Sequence, residues 1–127
     1  MYCEITQGIQ IEVTPEYLAE ESSPEAAQYV FAYHIKITNM GQTEVQLLSR
    51  HWIITDGKGL VHEVKGPGVV GEQPRLKPGE SHAYTSFCPL TTPTGNMRGS
   101  FQMTNDRGAM FDARIPLFFL RDTRAMH

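Results

Sequence analysis

Three glycines and three nearby cations form the most distinctive chemical pattern in this sequence. Gly66-Pro67-Gly68-Val69-Val70-Gly71 fits the spacing G-x-G-x-x-G, with Lys65, Arg75 and Lys77 close by. In a dinucleotide fold such glycines open a helix whose N-terminus receives a pyrophosphate. Here Pro74 and Pro78 follow closely, and proline's missing N–H and rigid ring forbid a regular helix. No βαβ pattern surrounds the motif, so a dinucleotide site is not expected. Loop glycines can still turn successive N–H groups toward an anion without a helix. Gly66, Gly68, Gly71, Lys65, Arg75 and Lys77 are therefore the candidate site for pyrophosphate or a nucleotide polyphosphate. The plainer account gives the glycines only a tight loop that needs φ > 0.

Other chemistries find less support. The histidines His34, His51, His62, His82 and His127 show neither H-x-H nor H-x₃-H spacing, and Cys3 and Cys88 are far apart in the chain. No preformed metal site or cofactor is expected. Loose divalent-cation binding by surface carboxylates is a third, unspecific reading. Ser49, Ser81, Ser86 and Ser100 lack a G-x-S-x-G elbow, and neighbours such as Ser81 and His82 face apart on a strand. No catalytic residue is assigned, and the expectation is a protein that is not an enzyme. Tyr17, Tyr29, Tyr33, Tyr84 and Trp52 are residue types found at binding hot spots, although a core role explains most of them.

These residues must be placed by strands. Ile9, Ile11 and Val13 alternate with polar neighbours, as do Phe31, Tyr33, Ile35 and Ile37, and alternation signals a strand with one buried face. Residues 15–27 are rich in Glu and Ser and read as a long loop with one helical turn at most. A third strand runs from Val45 to Thr55 and ends at Asp56-Gly57-Lys58-Gly59, a strong hairpin signal, so residues 60–64 return antiparallel. Residues 65–80 form the one long internal connection. Strands follow over 83–88, 97–104 and 110–119, and Gly99 inside a strand marks a bulge or a close backbone approach. The prediction is all-β: an immunoglobulin/fibronectin type III-like antiparallel β-sandwich of about seven to eight strands, one domain over 1–127, with a small barrel as the alternative. The end of the chain, with Arg121 and Arg124, is expected to fray.

Composition narrows the class further. The 127 residues are 40% hydrophobic and 20% charged, with a net charge of −3, which suits a folded chain rather than a disordered one. The first 35 residues contain Glu4, Glu12, Glu16, Glu20, Glu21 and Glu25 but no Lys or Arg, so the remainder is mildly basic. Without a dense basic run, nucleic acid is not an expected partner. No segment approaches the ~20 apolar residues that span a bilayer, and the first residues lack a signal-peptide pattern. The expected setting is the cytoplasm, with free thiols.

From Leu48-Ser49-Arg50-His51-Trp52-Ile53-Ile54-Thr55-Asp56, through Val64-Lys65-Gly66-Pro67-Gly68-Val69-Val70-Gly71-Glu72-Gln73-Pro74 and Leu76-Lys77-Pro78-Gly79-Glu80, to Tyr84-Thr85-Ser86 and the run Leu90, Thr92-Pro93, Gly95, Met97 and Gly99, the sequence resembles the bacterial ApaG family. Phe87 departs from the small residue common after Tyr-Thr-Ser in that family. The resemblance implies a fibronectin type III-like sandwich without an accepted enzymatic activity. It implies a gene neighbourhood shared with a diadenosine tetraphosphate hydrolase and a link to cobalt and magnesium resistance. Similar domains in a eukaryotic F-box protein and in a partner of DNA polymerase delta imply protein binding. The expected function is thus a non-catalytic protein-interaction module with an unidentified protein partner, engaged through an exposed sheet edge or the 65–80 loop. The alternative is a sensor of a phosphorylated small molecule through Gly66–Gly71. Homodimerisation through a sheet edge is compatible with both.

Overall fold

A computed structural model describes residues 1–123; Arg124 and His127 lie outside the described residues. The strands in chain order are β1 (Tyr2–Thr6), β2 (Ile9–Tyr17), β3 (Tyr29–Asn39), β4 (Val45–Asp56), β5 (Val61–Pro67), β6 (Arg75–Leu76), β7 (Ser81–Leu90), β8 (Thr94–Asn105) and β9 (Met110–Arg121). They make two antiparallel sheets, β1-β2-β3-β7 and β5-β4-β8-β9, with β6 also paired to β4. The sheets stay separate, so the barrel alternative falls. The strand set β2-β3-β7 facing β5-β4-β8-β9 is the immunoglobulin/fibronectin type III-like sandwich that the alternation predicts. β1 adds an edge strand to the first sheet, and β6 occupies only two residues of the long connection. Between β2 and β3, two short 3-10 turns at Ala19–Glu21 and Pro24–Ala26 fill the acidic loop. Among the described residues no helix is long and apolar enough to cross a membrane.

Alternation sets which side chains enter the core. Ile9, Ile11 and Val13 of β2, Phe31, Tyr33, Ile35 and Ile37 of β3, and Met97, Phe101 and Met103 of β8 form one buried cluster with Leu47, Trp52 and Phe118. Each large apolar side chain so buried contributes about 1.5–3 kcal/mol. Trp52 lies at its centre, edge-on to Tyr33 at 5.2 Å and to Phe118 at 5.9 Å between ring centroids. β1 and β2 pack against β9 and close one side of the sandwich. β7 and β5 are the free edges of the two sheets on the other side.

Two irregularities steer this packing. The register of β4 against β8 shifts between Leu47 and Ser49, and one extra residue in a strand exchanges its two faces. Val45 and Leu47 point inward before the shift; Trp52 and Asp56 are buried after it. The β8–β9 register shifts between Met97 and Gly99. Gly99 pairs with Trp52, and a Cβ there would collide with the carbonyl oxygen of His51. The sequence expectation for Gly99, a bulge or a close approach, is met on both counts.

Candidate functional site

The 65–80 connection turns its glycines to a structural purpose. The N–H of Gly68 donates to Leu48 O at 2.8 Å, that of Val69 to Glu72 O at 2.8 Å, and that of Glu72 to Val69 O at 3.0 Å. Val70 and Gly71 between them have φ of 47° and 78°, the geometry of a type I′ turn. A Cβ on Gly68 would overlap Glu72 O. The carbonyls of Pro67 and Gly68 accept hydrogen bonds from Arg50 Nη1 at 2.9 and 3.0 Å. The loop thus presents carbonyl oxygens to a cation, and the N–H groups of Gly68, Val69, Glu72, Gly79 and Glu80 are committed to backbone partners. Lys65 pairs with His51 and is exposed, Arg75 of β6 pairs with Gln46 and is exposed, and Lys77 is exposed with its N–H bound to Glu80 Oε1. Gly66 lies across from Arg50. The six candidate residues are brought to one edge of the second sheet, but Lys65 points to the face opposite Gly66.

A different feature dominates the open side of the sandwich. A cleft of about 490 Å³ lies between β7 on one wall and β4 and β5 on the other, within the ~300–1,000 Å³ usual for binding sites. Tyr33, Trp52 and Met97 form its apolar floor. Arg50 stands toward one end and Asp56 toward the other, with Val64 and His62 on one rim and Ser86, Phe87 and Pro89 on the other. Trp52 is only 2% exposed, whereas Val64 is 40% and Phe87 60% exposed. For Val64 the cause is that β5 extends the second sheet past β7 and leaves its inward row uncovered; Phe87, paired with Ala32, is exposed because alternation turns it to the outer face of the first sheet. Arg50 is there because of the bulge before Ser49, which turns its side chain to the face of Trp52. Nothing in the alternation of residues 45–55 marks that exchange, and sequence reasoning missed both Arg50 and the cleft.

The titratable groups around the cleft are tuned by burial. Burial pushes the Cys88 thiol up to about 11, away from the thiolate a nucleophile needs. Burial also raises the Tyr33 phenol, against the lowering effects of the Ser86 side chain and of Arg50. Tyr84 is raised strongly by burial and then by Tyr33, and its hydroxyl is buried with no hydrogen-bond partner among the described residues. Cys3 and Cys88 are both free thiols. Histidines are dispersed: His34 bridges Thr85 Oγ1 at 2.8 Å and Glu16 Oε1 at 2.9 Å, His51 faces Glu63 at 3.6 Å, and His82 faces Glu72 at 3.5 Å. Among the described residues no three His, Cys, Asp or Glu side chains gather as a metal-binding group. Ser49 and Ser100 bond to Gln102, and Ser81 bonds to Thr38. Ser86 lines the cleft beside Tyr33.

Fold and cleft together define a fibronectin type III-like sandwich whose accessible cavity lies between two edge strands. The ApaG domain model matches residues 19–105. "Protein ApaG" of Rhodospirillum centenum is 54% identical over 120 residues, 94% of this chain and 92% of that one, and that of Mesorhizobium japonicum is 53% identical with the same coverage. The crystal structure of an ApaA protein from Bordetella pertussis superposes with a TM-score of 0.87 at 51% identity, covering 89% of this chain and 92% of that one. The X-ray structure of a structural-genomics target gives 0.89 at 40% identity, covering 98% and 94%. The chain belongs to the ApaG family, as its motifs implied. The C-terminal domain of wzt, at 13% identity and a TM-score of 0.55 over 94% of this chain and 76% of that one, shares the fold alone.

Proposed function

We propose that this ApaG-family sandwich is a non-catalytic protein-binding module and that the cleft between β5 and β7 is its contact surface. One observation carries the reading: an apolar-floored cleft, with Val64 exposed on one wall, opens between the free edges of both sheets, and Phe87 stands exposed beside it on the outer face of β7, across from Ala32. Exposed edges recruit an additional strand through their unpaired backbone groups, and apolar pockets beside them supply specificity. Burial of the Cys88 thiol and the lack, among the described residues, of a histidine partner for the cleft serine favour binding over covalent chemistry at this place. The free thiols of Cys3 and Cys88 suit a reducing compartment, and the cytoplasm is the proposed setting.

Affinity capture from lysate of the source organism tests the reading when wild type is compared with Phe87→Glu. Met110→Glu serves as a control, because Met110 is equally exposed on the distant β8–β9 hairpin. The expected result is a stoichiometric partner retained by wild type and Met110→Glu and lost by Phe87→Glu at unchanged thermal stability. Equal capture by all three would overturn the assignment of the cleft.

A further inference from the structure

Arg50 gives the cleft a chemical preference. Its Nη1 is occupied by the carbonyls of Pro67 and Gly68, while Nη2 and Nε make no hydrogen bond to the described residues. Those two donors are the parallel pair that a carboxylate meets in fork-to-fork geometry. No carboxylate among the described residues lies within ion-pair distance of Arg50, although the guanidinium always carries its charge. Asp56 stands elsewhere in the cleft, and its Oδ1 already accepts the N–H groups of Lys58 and Leu60. Around the Arg50 position the described residues add no acid: Ser86 lines the cleft, and the Tyr84 hydroxyl on the same row of β7 is buried with no hydrogen-bond partner among them. Arg50 is the one Lys or Arg lining the cleft, so the site balances a single negative charge. A phosphate dianion would leave a charge uncompensated.

The walls say what carries that charge. The cleft is bounded by an edge strand on each side and floored by Trp52 and Tyr33, with Val64 uncovered on one wall. An extended chain laid along β7 would pair with its free backbone groups and send alternate side chains into the cleft. We propose that the cleft binds an extended peptide segment in which an acidic residue sits two positions from an aromatic or aliphatic one. The carboxylate meets Arg50 Nη2 and Nε, and the apolar side chain covers Trp52 beside Val64. The proposal rests on the protein-binding reading above and names the partner's chemistry.

Trp52 is the single tryptophan, and its emission reports binding directly. The probes are acetyl-Ser-Glu-Ser-Phe-Ser-Leu-Ser-amide, the same sequence reversed to cover either chain direction, and their Glu→Gln counterparts. The expected result is a saturable change in emission with one of the Glu peptides. Affinity should be about tenfold weaker for its Gln counterpart, and weaker by a similar factor for Arg50→Gln against the Glu peptide. The Gln peptides are tested on the wild-type chain, so the charge requirement is read even if Arg50→Gln loosens the loop it clasps. Tyr84→Phe, which removes only an unpartnered hydroxyl, should leave thermal stability unchanged or raised. Equal binding of Glu and Gln peptides would overturn the proposal. So would binding of 3-phenylpropionate as tight as the peptide, which would assign the site to small acids, or displacement by pyrophosphate below about 1 mM, which would assign it to phosphates. Self-association in sedimentation that Arg50→Gln abolishes would assign the cleft to a second copy instead. No peptide binding alongside Phe87-dependent capture would overturn this inference and leave the docking surface standing.

Discussion

Cys88 shows how a single buried side chain ties stability to pH. It faces the interior from β7 at 4% exposure, and burial moves its thiol from 9.0 up to about 11. Between those values the unfolded chain has released the proton and the folded chain has kept it. The unfolded state therefore binds fewer protons, and folding stability falls as pH rises through this window, by about 1.4 kcal/mol per pH unit for one such group. Tyr33 and Tyr84, also raised by burial, extend the loss above pH 10. Denaturant unfolding at intervals from pH 8 to pH 11 should show stability level to about pH 9 and falling beyond it. Cys88→Ala, which removes the proton and leaves only a small cavity, should flatten the first part of the decline. An unchanged profile in that variant would show that the thiol is not the group responsible.

At the scale of elements, turns and bulges decide what regular strands cannot. Val70 is a β-branched residue held at φ 47° in the turn closed by Val69 and Glu72, a conformation that costs on the order of 1 kcal/mol or more. It is 65% exposed, so little apolar burial is lost when it is replaced. Val70→Asn creates the Asn-Gly pair favoured in type I′ turns and should raise the calorimetric Tm by about 2–4 °C; a fall would show that the valine is held there by contacts that matter. Strand faces were legible in the sequence wherever alternation was unbroken, as in Phe31, Tyr33, Ile35 and Ile37 of β3 or Met97, Gly99, Phe101 and Met103 of β8. The hairpin at Asp56-Gly57 was legible too, because Asp56 Oδ1 takes the Lys58 and Leu60 N–H groups within the turn, and Asn105 Oδ1 builds the β8–β9 turn in the same way by taking those of Arg107 and Ala109. The β4 bulge was hidden. It depends on how β4 meets β8, a long-range pairing, and it alone turns Arg50 inward. For the same reason the spacing of Gly66, Gly68 and Gly71 marked a tight loop but not whether N–H or C=O groups would face its surroundings.

For the whole molecule, the sandwich is closed along one side and open along the other. β1 and β2 cover β9, and Tyr2 leans on Phe118 at 6.1 Å. On the other side β5 overhangs β7, and the space between them is the cleft. The acidic first quarter of the chain runs through β1, β2 and the start of β3, all strands of the first sheet, whereas the cleft draws its cation from β4 of the second, so the charge that matters for recognition there is the local one at Arg50. Photo-crosslinking in the source organism tests the docking cleft most directly, with p-benzoylphenylalanine placed at position 87, at position 64 and, as a distant control, at position 110. The account predicts adducts to one and the same partner protein from positions 87 and 64 and none from 110. Adducts from position 110 with none from 87 or 64 would contradict it and place recognition on the opposite side of the sandwich.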